Sequence, residues 1–146
     1  MGKKEVEREF FCWPKWARRE QRQPPGDWTT WLLMGGRGSG KTRAGDEWVR
    51  RLVQKGISPI ALVGETMSEA VEIMVRGESG IMAVHPDLER PTLRGNNKLF
   101  WTNGCEATIL TASDPERFRG PQFAAAWCDE IGKWPHAEEA WDMLQF

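Results

Sequence analysis

The feature that most constrains the fold of this chain is a glycine-rich octapeptide, GGRGSGKT, at residues 35–42. It satisfies the pattern G-x-x-x-x-G-K-[ST], in which backbone N–H groups surround a phosphate group between a strand and a helix. Residues 28–34 (WTTWLLM) have the β-formers and aliphatics of a buried strand. Apolar residues between 41 and 55 recur with helical spacing. Pattern and context therefore both predict a phosphate-binding loop.

Each residue type of the octapeptide has an expected role in binding ATP. The predicted ATP-binding residues are Gly35, Gly36, Arg37, Gly38, Ser39, Gly40, Lys41 and Thr42. The glycines let the backbone fold around the β-phosphate, because few other residues adopt the required angles. We expect Lys41 to reach the β- and γ-phosphates and the Thr42 hydroxyl to bind Mg²⁺, a hard cation that prefers oxygen ligands.

The rest of the chain predicts an α/β fold in one domain, residues 28–146, preceded by a charged lead-in at 1–27 that ends in PPGD. After the helix at 41–55 we expect a strand at 59–63, a helix at 66–76 that begins with a capping box, a hairpin of 98–101 with 106–111 around Asn103-Gly104, a strand at 122–128 and a helix at 137–144. Strands that alternate with helices predict a mostly parallel sheet with crossover helices.

An acidic pair, Asp129-Glu130, directly follows the last predicted strand. This is the arrangement of a Walker B strand, whose aspartate holds Mg²⁺ and whose second carboxylate orients and deprotonates the attacking water. Because ligand-binding residues gather at the carboxyl ends of strands in open α/β sheets, we expect the pair to meet the glycine-rich loop. The pair favours hydrolysis over phosphate transfer to a bound hydroxyl, with Glu130 and Lys41 as catalytic residues.

Composition excludes several other classes of protein. The longest apolar run, residues 123–128, is far shorter than a membrane span, and the charged amino terminus is unlike a secretion signal. Three cysteines without CxxC spacing predict free thiols rather than disulfides or a zinc site. A net charge of −1 neither requires nor excludes a nucleic-acid partner.

Taken together, these residues resemble the large terminase subunits of tailed bacteriophages and related prophages. The resemblance is carried by ARREQ (17–21) ahead of PPGDW (24–28), by WLLMGGRGSGKTRAG (31–45) with EWVR (47–50), and by DPERFRGP (114–121) leading into AWCDE (126–130). The combination is far more specific than either nucleotide motif alone.

The resemblance implies a P-loop NTPase of the additional-strand type that hydrolyses ATP to drive double-stranded DNA into a capsid. It implies that Gln21 contacts the adenine and that Arg37 helps to sense the γ-phosphate. It also implies that Arg119, or its neighbour Arg117, is an arginine finger offered to the next subunit of a homo-oligomeric ring; an ordinary loop cation is the alternative for both. The implied partners are the DNA, the small terminase subunit and the portal of the procapsid, in the cytoplasm of a bacterial host.

Complete members of the family resemble a two-part machine, an ATPase followed by a nuclease, whereas this chain ends shortly after Glu130. The family's strand between the P-loop strand and the Walker B strand also comes later in sequence than both. We therefore expect the strand at 29–34 to lack one neighbour, and this length of chain to be weakly folded and poorly active by itself. A DNA helicase or translocase ATPase, and a truncated nonenzymatic remnant that binds nucleotide, are the alternatives.

Overall fold

The computed structural model of the chain describes residues 2–119 and 122–145. Its helices are α1 (Lys3–Phe10), α2 (Trp13–Trp16), α3 (Lys41–Gln54), α4 (Met67–Glu69), α5 (Ile81–Val84) and α6 (Ala137–Gln145). A π-helix, Ala70–Val75, continues α4, and short 3-10 turns lie at Arg19–Gln21, Pro115–Phe118 and Ile131–Lys133. The strands are β1 (Ile60–Gly64), β2 (Thr92–Arg94), β3 (Lys98–Phe100), β4 (Glu106–Thr111) and β5 (Ala125–Cys128).

Within the described ranges the five strands form one sheet in the order β2-β3-β4-β1-β5. The central strand β1 is parallel to both neighbours, with Ile60 opposite Ala107 on one side and Ala125 on the other. β2, β3 and β4 pair antiparallel at the opposite edge. The predicted α/β architecture, a mostly parallel sheet with helices, is thereby confirmed.

The core lies on both faces of β1, whose residues are all buried. Successive side chains of a strand point to opposite faces, so a strand covered on both sides needs a continuous apolar run such as IALV. One face packs against α3 and the π-helix, in a cluster that includes Val49, Leu62 and Met74. The other face packs in a second cluster, which includes Val63, Phe118 and Ala140.

Helix α3 has nearly the predicted bounds, and its end has the predicted cap. Gly56 adopts a left-handed φ of 75° after the helix. Its N–H donates to Val53 O at 2.9 Å, and the Ile57 N–H donates to Leu52 O at 3.0 Å. These two bonds form the Schellman motif, which satisfies carbonyls that have no partner inside the helix.

The predicted hairpin is also confirmed, since β3 and β4 pair antiparallel on either side of Asn103-Gly104. Gly104 has a φ of 91°, and Asn103 Oδ1 accepts the N–H of Cys105 at 3.1 Å. The side chain of Asn103 also donates to Val53 O at 2.8 Å, which ties the turn to the end of α3. The short strand β2, which the sequence analysis did not predict, adds a third strand to this hairpin.

Two further elements differ in detail from the prediction. Thr66 Oγ1 accepts the N–H of Glu69 at 3.2 Å, so the predicted cap is present, but the segment continues as a π-helix rather than an α-helix. The last strand begins at Ala125, later than the predicted residue 122.

The predicted buried strand at 28–34 is wrong. These residues adopt no regular structure, and the side chains of Leu32 and Met34 are 68% and 79% exposed. A strand forms only when a neighbour accepts and donates its ladder hydrogen bonds, and β5, not this segment, is the strand beside β1. From the sequence we expect this strand to form and to lack one neighbour. In the structure the strand itself does not form.

Cys12, Cys105 and Cys128 are free thiols, as predicted. Among the described residues no helix has both the length and the apolar character needed to cross a membrane.

Candidate nucleotide-binding site

The glycine-rich loop leads directly into the amino terminus of the 14-residue helix α3. Gly38 and Gly40 have φ angles of 75° and 82°, in the left-handed region that favours glycine. The N–H of Ser39 donates to Gly36 O at 3.2 Å and closes a turn between them. Because the first N–H groups of a helix have no acceptor within it, the loop and α3 together present donors and a positive dipole end to an anion.

Lys41 and Thr42 are the first two residues of α3. The Lys41 ammonium donates to the carbonyl of Gly35, so its side chain folds back across the start of the loop. Thr42 is half-buried one position further along, and Arg37 is exposed at the tip of the loop. The loop thus has the lysine and the hydroxyl where an octapeptide of this pattern needs them.

The acidic pair lies at the carboxyl end of β5. The N–H of Asp129 donates to Val63 O at 2.9 Å, which extends the parallel pairing by one residue. Burial, and then the negative charge of Glu130, raise the pKa of Asp129, while Lys41 lowers it. That opposing effect of Lys41 means that the loop and the acidic pair lie within electrostatic reach of each other.

Glu130 is exposed and has a φ of 52°, a left-handed conformation for a residue other than glycine. Backbone strain of this kind costs about 1–3 kcal/mol and persists where the surrounding structure imposes it. Here the following turn imposes it, because Lys133 N–H donates to Glu130 O at 2.9 Å and Trp134 Nε1 donates to Asp129 O at 3.0 Å. Strand β5 ends at Cys128, and this turn begins directly after the acidic pair.

A cavity of about 1070 Å³ separates the segment 28–35 from β5. Its lining includes Gly35 and Lys41 on one side and Asp129 and Glu130 on the other. The structure therefore brings these predicted site residues together. The other predicted loop residues are not part of the lining: Gly36, Arg37, Gly38, Ser39, Gly40 and Thr42.

Asp46 is a buried carboxylate that the sequence analysis missed. It is fully buried in α3, one turn after Thr42, and neither carboxylate oxygen has a hydrogen-bond partner. Burial, followed by the charges of Asp129 and Glu47, raises the pKa of Asp46 well above its usual range. Burial thus disfavours the charged form of this carboxyl, because a buried charge without a partner is costly. The only signal in the sequence is its position at i+4 from Thr42.

Gln21, the predicted adenine contact, lies against the glycine-rich loop. Its side chain is buried, and Nε2 donates to Gly40 O at 3.1 Å. Its Oε1 accepts the N–H of Arg18 at 3.0 Å. The predicted site residue is therefore placed beside the loop, in contact with its backbone.

Of the two candidate finger arginines, Arg117 lies in the 3-10 turn Pro115–Phe118 that follows β4, and Arg119 comes directly after that turn. Arg117 pairs with Asp114 at 3.0 Å, and Arg119 with Glu116 at 3.5 Å. Their side chains are 65% and 68% exposed, so these pairs contribute little to stability. Both arginines are therefore accessible, and neither lines the cavity that holds the acidic pair.

A comparison with protein families gives a match over more than half of the chain. The model described as "Terminase large subunit, T4likevirus-type, N-terminal" matches residues 32–146. That range includes the glycine-rich loop and the acidic pair, whereas Gln21 precedes it. No curated protein matches the chain. The chain belongs to the family of terminase large subunits, of which it represents the amino-terminal portion.

Proposed function

We propose that this chain is the ATP-hydrolysing portion of a motor that drives double-stranded phage DNA into a capsid, built on a P-loop NTPase fold of the additional-strand type. Membership of the terminase family implies a role in phage DNA packaging. One observation carries the ATPase assignment: Lys41, at the start of α3, and the pair Asp129-Glu130 border the same cavity. Phosphate binding and water activation then occur at one place.

The polyphosphate of ATP binds at the loop and the start of α3. Backbone N–H groups there supply donors, and the helix dipole adds a partial positive charge. Lys41 lies at the cavity lining and adds a full charge for the β- and γ-phosphates. Arg37, exposed at the tip of the loop, is available to the γ-phosphate.

The residues present fit Mg²⁺. Thr42 and Asp129 offer a hydroxyl and a carboxylate, the oxygen donors that this ion prefers, and the ion usually completes its shell with water and substrate phosphates. Burial, and then the charge of Glu130, raise the pKa of Asp129, and a divalent cation at this carboxylate would favour its charged form. When bound, Mg²⁺ neutralises charge that develops on the phosphate oxygens.

Glu130 acts as the general base for the attacking water. Its exposed carboxylate lines the cavity, so it can take a proton from water that enters there. Asp129 is half-buried directly after β5 and lines the same cavity, so its carboxylate is the one placed to hold the metal ion while Glu130 faces the solvent. The two adjacent carboxylates therefore have different roles because their environments differ.

We further propose the partners of this motor. Arg119, or Arg117, reaches the nucleotide of a neighbouring subunit in a homo-oligomeric ring, since both side chains are exposed. The ring acts on double-stranded DNA together with the small terminase subunit and the portal of the procapsid, in the cytoplasm of the bacterial host. The family match favours packaging over a helicase or another translocase.

The test measures ATP binding and ATP hydrolysis separately in the full-length subunit. Lys41→Ala should weaken binding by at least about tenfold, because it removes the charge beside the phosphates. Glu130→Gln should bind ATP normally and lower turnover by about 10²- to 10⁴-fold. The matched controls are Lys55→Ala, at the far end of α3, and Glu139→Gln on α6, both exposed.

Two results would contradict the proposal. If Glu130→Gln hydrolyses ATP as fast as the wild type, Glu130 is not the base. If the wild-type subunit binds ATP without turning it over under packaging conditions, the nonenzymatic nucleotide-binding alternative is correct.

A further inference from the structure

The turn Arg19–Gln21 contacts the glycine-rich loop through side chains at its two ends. Both ends of the buried Gln21 amide are used, one to accept from Arg18 N–H and one to donate to Gly40 O. The Arg18 guanidinium donates to the carbonyl of Ser39. A Cβ atom at Gly40 would lie 2.2 Å from Gln21 Nε2, so the contact itself requires glycine there.

These contacts bear on the direction of two peptide groups, one of which α3 also holds, since the Gly40 carbonyl accepts the N–H of Ala44 at 3.0 Å. A trans peptide is planar, and its C=O and N–H point in opposite directions. The carbonyls of Ser39 and Gly40 belong to the same peptide groups as the N–H groups of Gly40 and Lys41. When Arg18 and Gln21 hold the carbonyls on one side, the N–H groups point to the other side, at the start of α3, where an anion binds.

The lead-in that carries this turn is itself attached to the body of the domain. Arg22 donates to Pro14 O at 2.7 Å and to Ala17 O at 3.2 Å, which ties the turn to α2. Arg50 of α3 donates to Phe11 O at 2.8 Å. The turn is therefore connected to α3 both at the loop and further along the helix, and it can hold the loop in one conformation.

We propose that Arg18 and Gln21 are positioning residues that hold the loop in its phosphate-binding conformation, so that they strengthen binding of the polyphosphate whatever base it carries. The ligand is the triphosphate of the proposed function, on which this inference rests. The amide of Gln21 serves the loop rather than the adenine, because Oε1 accepts from Arg18 N–H and one Nε2 proton is donated to Gly40 O, so the amide is oriented towards the loop. Adenine recognition by Gln21 is the competing outcome.

The experiment compares three ligands in the full-length subunit with Mg²⁺: ATP, GTP and inorganic tripolyphosphate, which has no base. Gln21→Met keeps the length of the side chain and adds no charge, but it can neither accept from Arg18 N–H nor donate to Gly40 O. We expect Gln21→Met and Arg18→Ala to weaken binding of all three ligands by a similar factor, about 3- to 10-fold. Gln54→Met and Arg19→Ala, both at exposed positions, are the matched controls, and Arg19→Ala removes the same charge next to Arg18.

Affinities are measured at a temperature well below the thermal midpoint of each variant, where the protein is folded. A loss of affinity then reflects a change in the loop and not partial unfolding. If only the affinity for ATP falls, while GTP and tripolyphosphate bind as tightly as they do to the wild type, Gln21 contacts the adenine. That result overturns this inference and leaves the proposed function intact. Wild-type affinity for all three ligands in both variants also overturns it. If the wild-type subunit binds none of the three, the proposed function fails as well.

Discussion

His85 makes the stability of this protein depend on pH. The ring is 1% exposed, Nδ1 lies 2.7 Å from Ile81 O, and Trp101 Nε1 donates to Nε2 at 3.0 Å. Since Nε2 accepts, the proton is on Nδ1 and the ring is neutral. Burial above all, assisted by the charges of Arg50 and Arg90, lowers the pKa of His85 from 6.5 to about 4, against the opposing effects of Ile81 O and Glu89.

The sign and size of the effect follow from this shift. Between pH 6.5 and 4 the unfolded chain binds a proton that the folded protein excludes, so the free energy of unfolding falls as the pH falls. The full effect is about 3 kcal/mol, reached below pH 4, and about 1.4 kcal/mol is already lost at pH 5.5. A loss of this size is a large part of the total free energy of unfolding of a marginally stable domain.

The assay is urea unfolding at pH 7 and pH 5.5 of the wild type and of His85→Gln, whose amide oxygen can accept from Trp101 but does not titrate. His136→Gln, an exposed site, is the control. Acidic groups with raised pKa values, such as Asp46 and Asp129, titrate alike in all three proteins, so they cancel in the comparison. We expect the wild type to lose about 1.2 kcal/mol more than His85→Gln between the two pH values, since a small part of the effect is already present at pH 7. Equal losses would refute the reasoning.

Two further substitutions test the packing and the proposed ring. Gly45→Ala would place Cβ 2.1 Å from Cε2 of Trp127, so it should lower the free energy of unfolding in urea by about 1–3 kcal/mol. Gly132→Ala, which has open space around it, is the control and should not lower it. Equal stability of the two variants would contradict the close contact of Gly45 with Trp127. Arg119→Ala should lower turnover of the assembled motor by about 10³- to 10⁵-fold. If Arg117→Ala does so instead, Arg117 is the finger, and if both variants stay within a few-fold of the wild type, both are ordinary loop cations.

Features set by short-range chemistry could be predicted from the sequence. The loop, the start and cap of α3 and the hairpin at Asn103-Gly104 each depend on residues a few positions apart, such as glycines with positive φ. The position of Asp129-Glu130 after an apolar run also placed the pair at the end of a strand. These are the parts of the candidate site that the structure then brings to one cavity.

Features set by neighbours distant in sequence could not be predicted. The run at 28–34 has the composition of a strand, but composition does not reveal whether a pairing strand lies beside it. Asp46 reads as a surface residue because a polar side chain in a helix is usually solvated. The contact of Gln21 with Gly40 joins residues that only the packing of the lead-in brings together.

The sequence alone determined that this chain has a glycine-rich loop, a helix to follow it and an acidic pair after an apolar strand, because each depends on local backbone angles and spacing. The tertiary structure decided which strand lies beside β1, which carboxyl is buried without a partner and which residues hold the loop. Those outcomes depend on which groups lose contact with water, and that is settled only when the whole sheet and its helices pack.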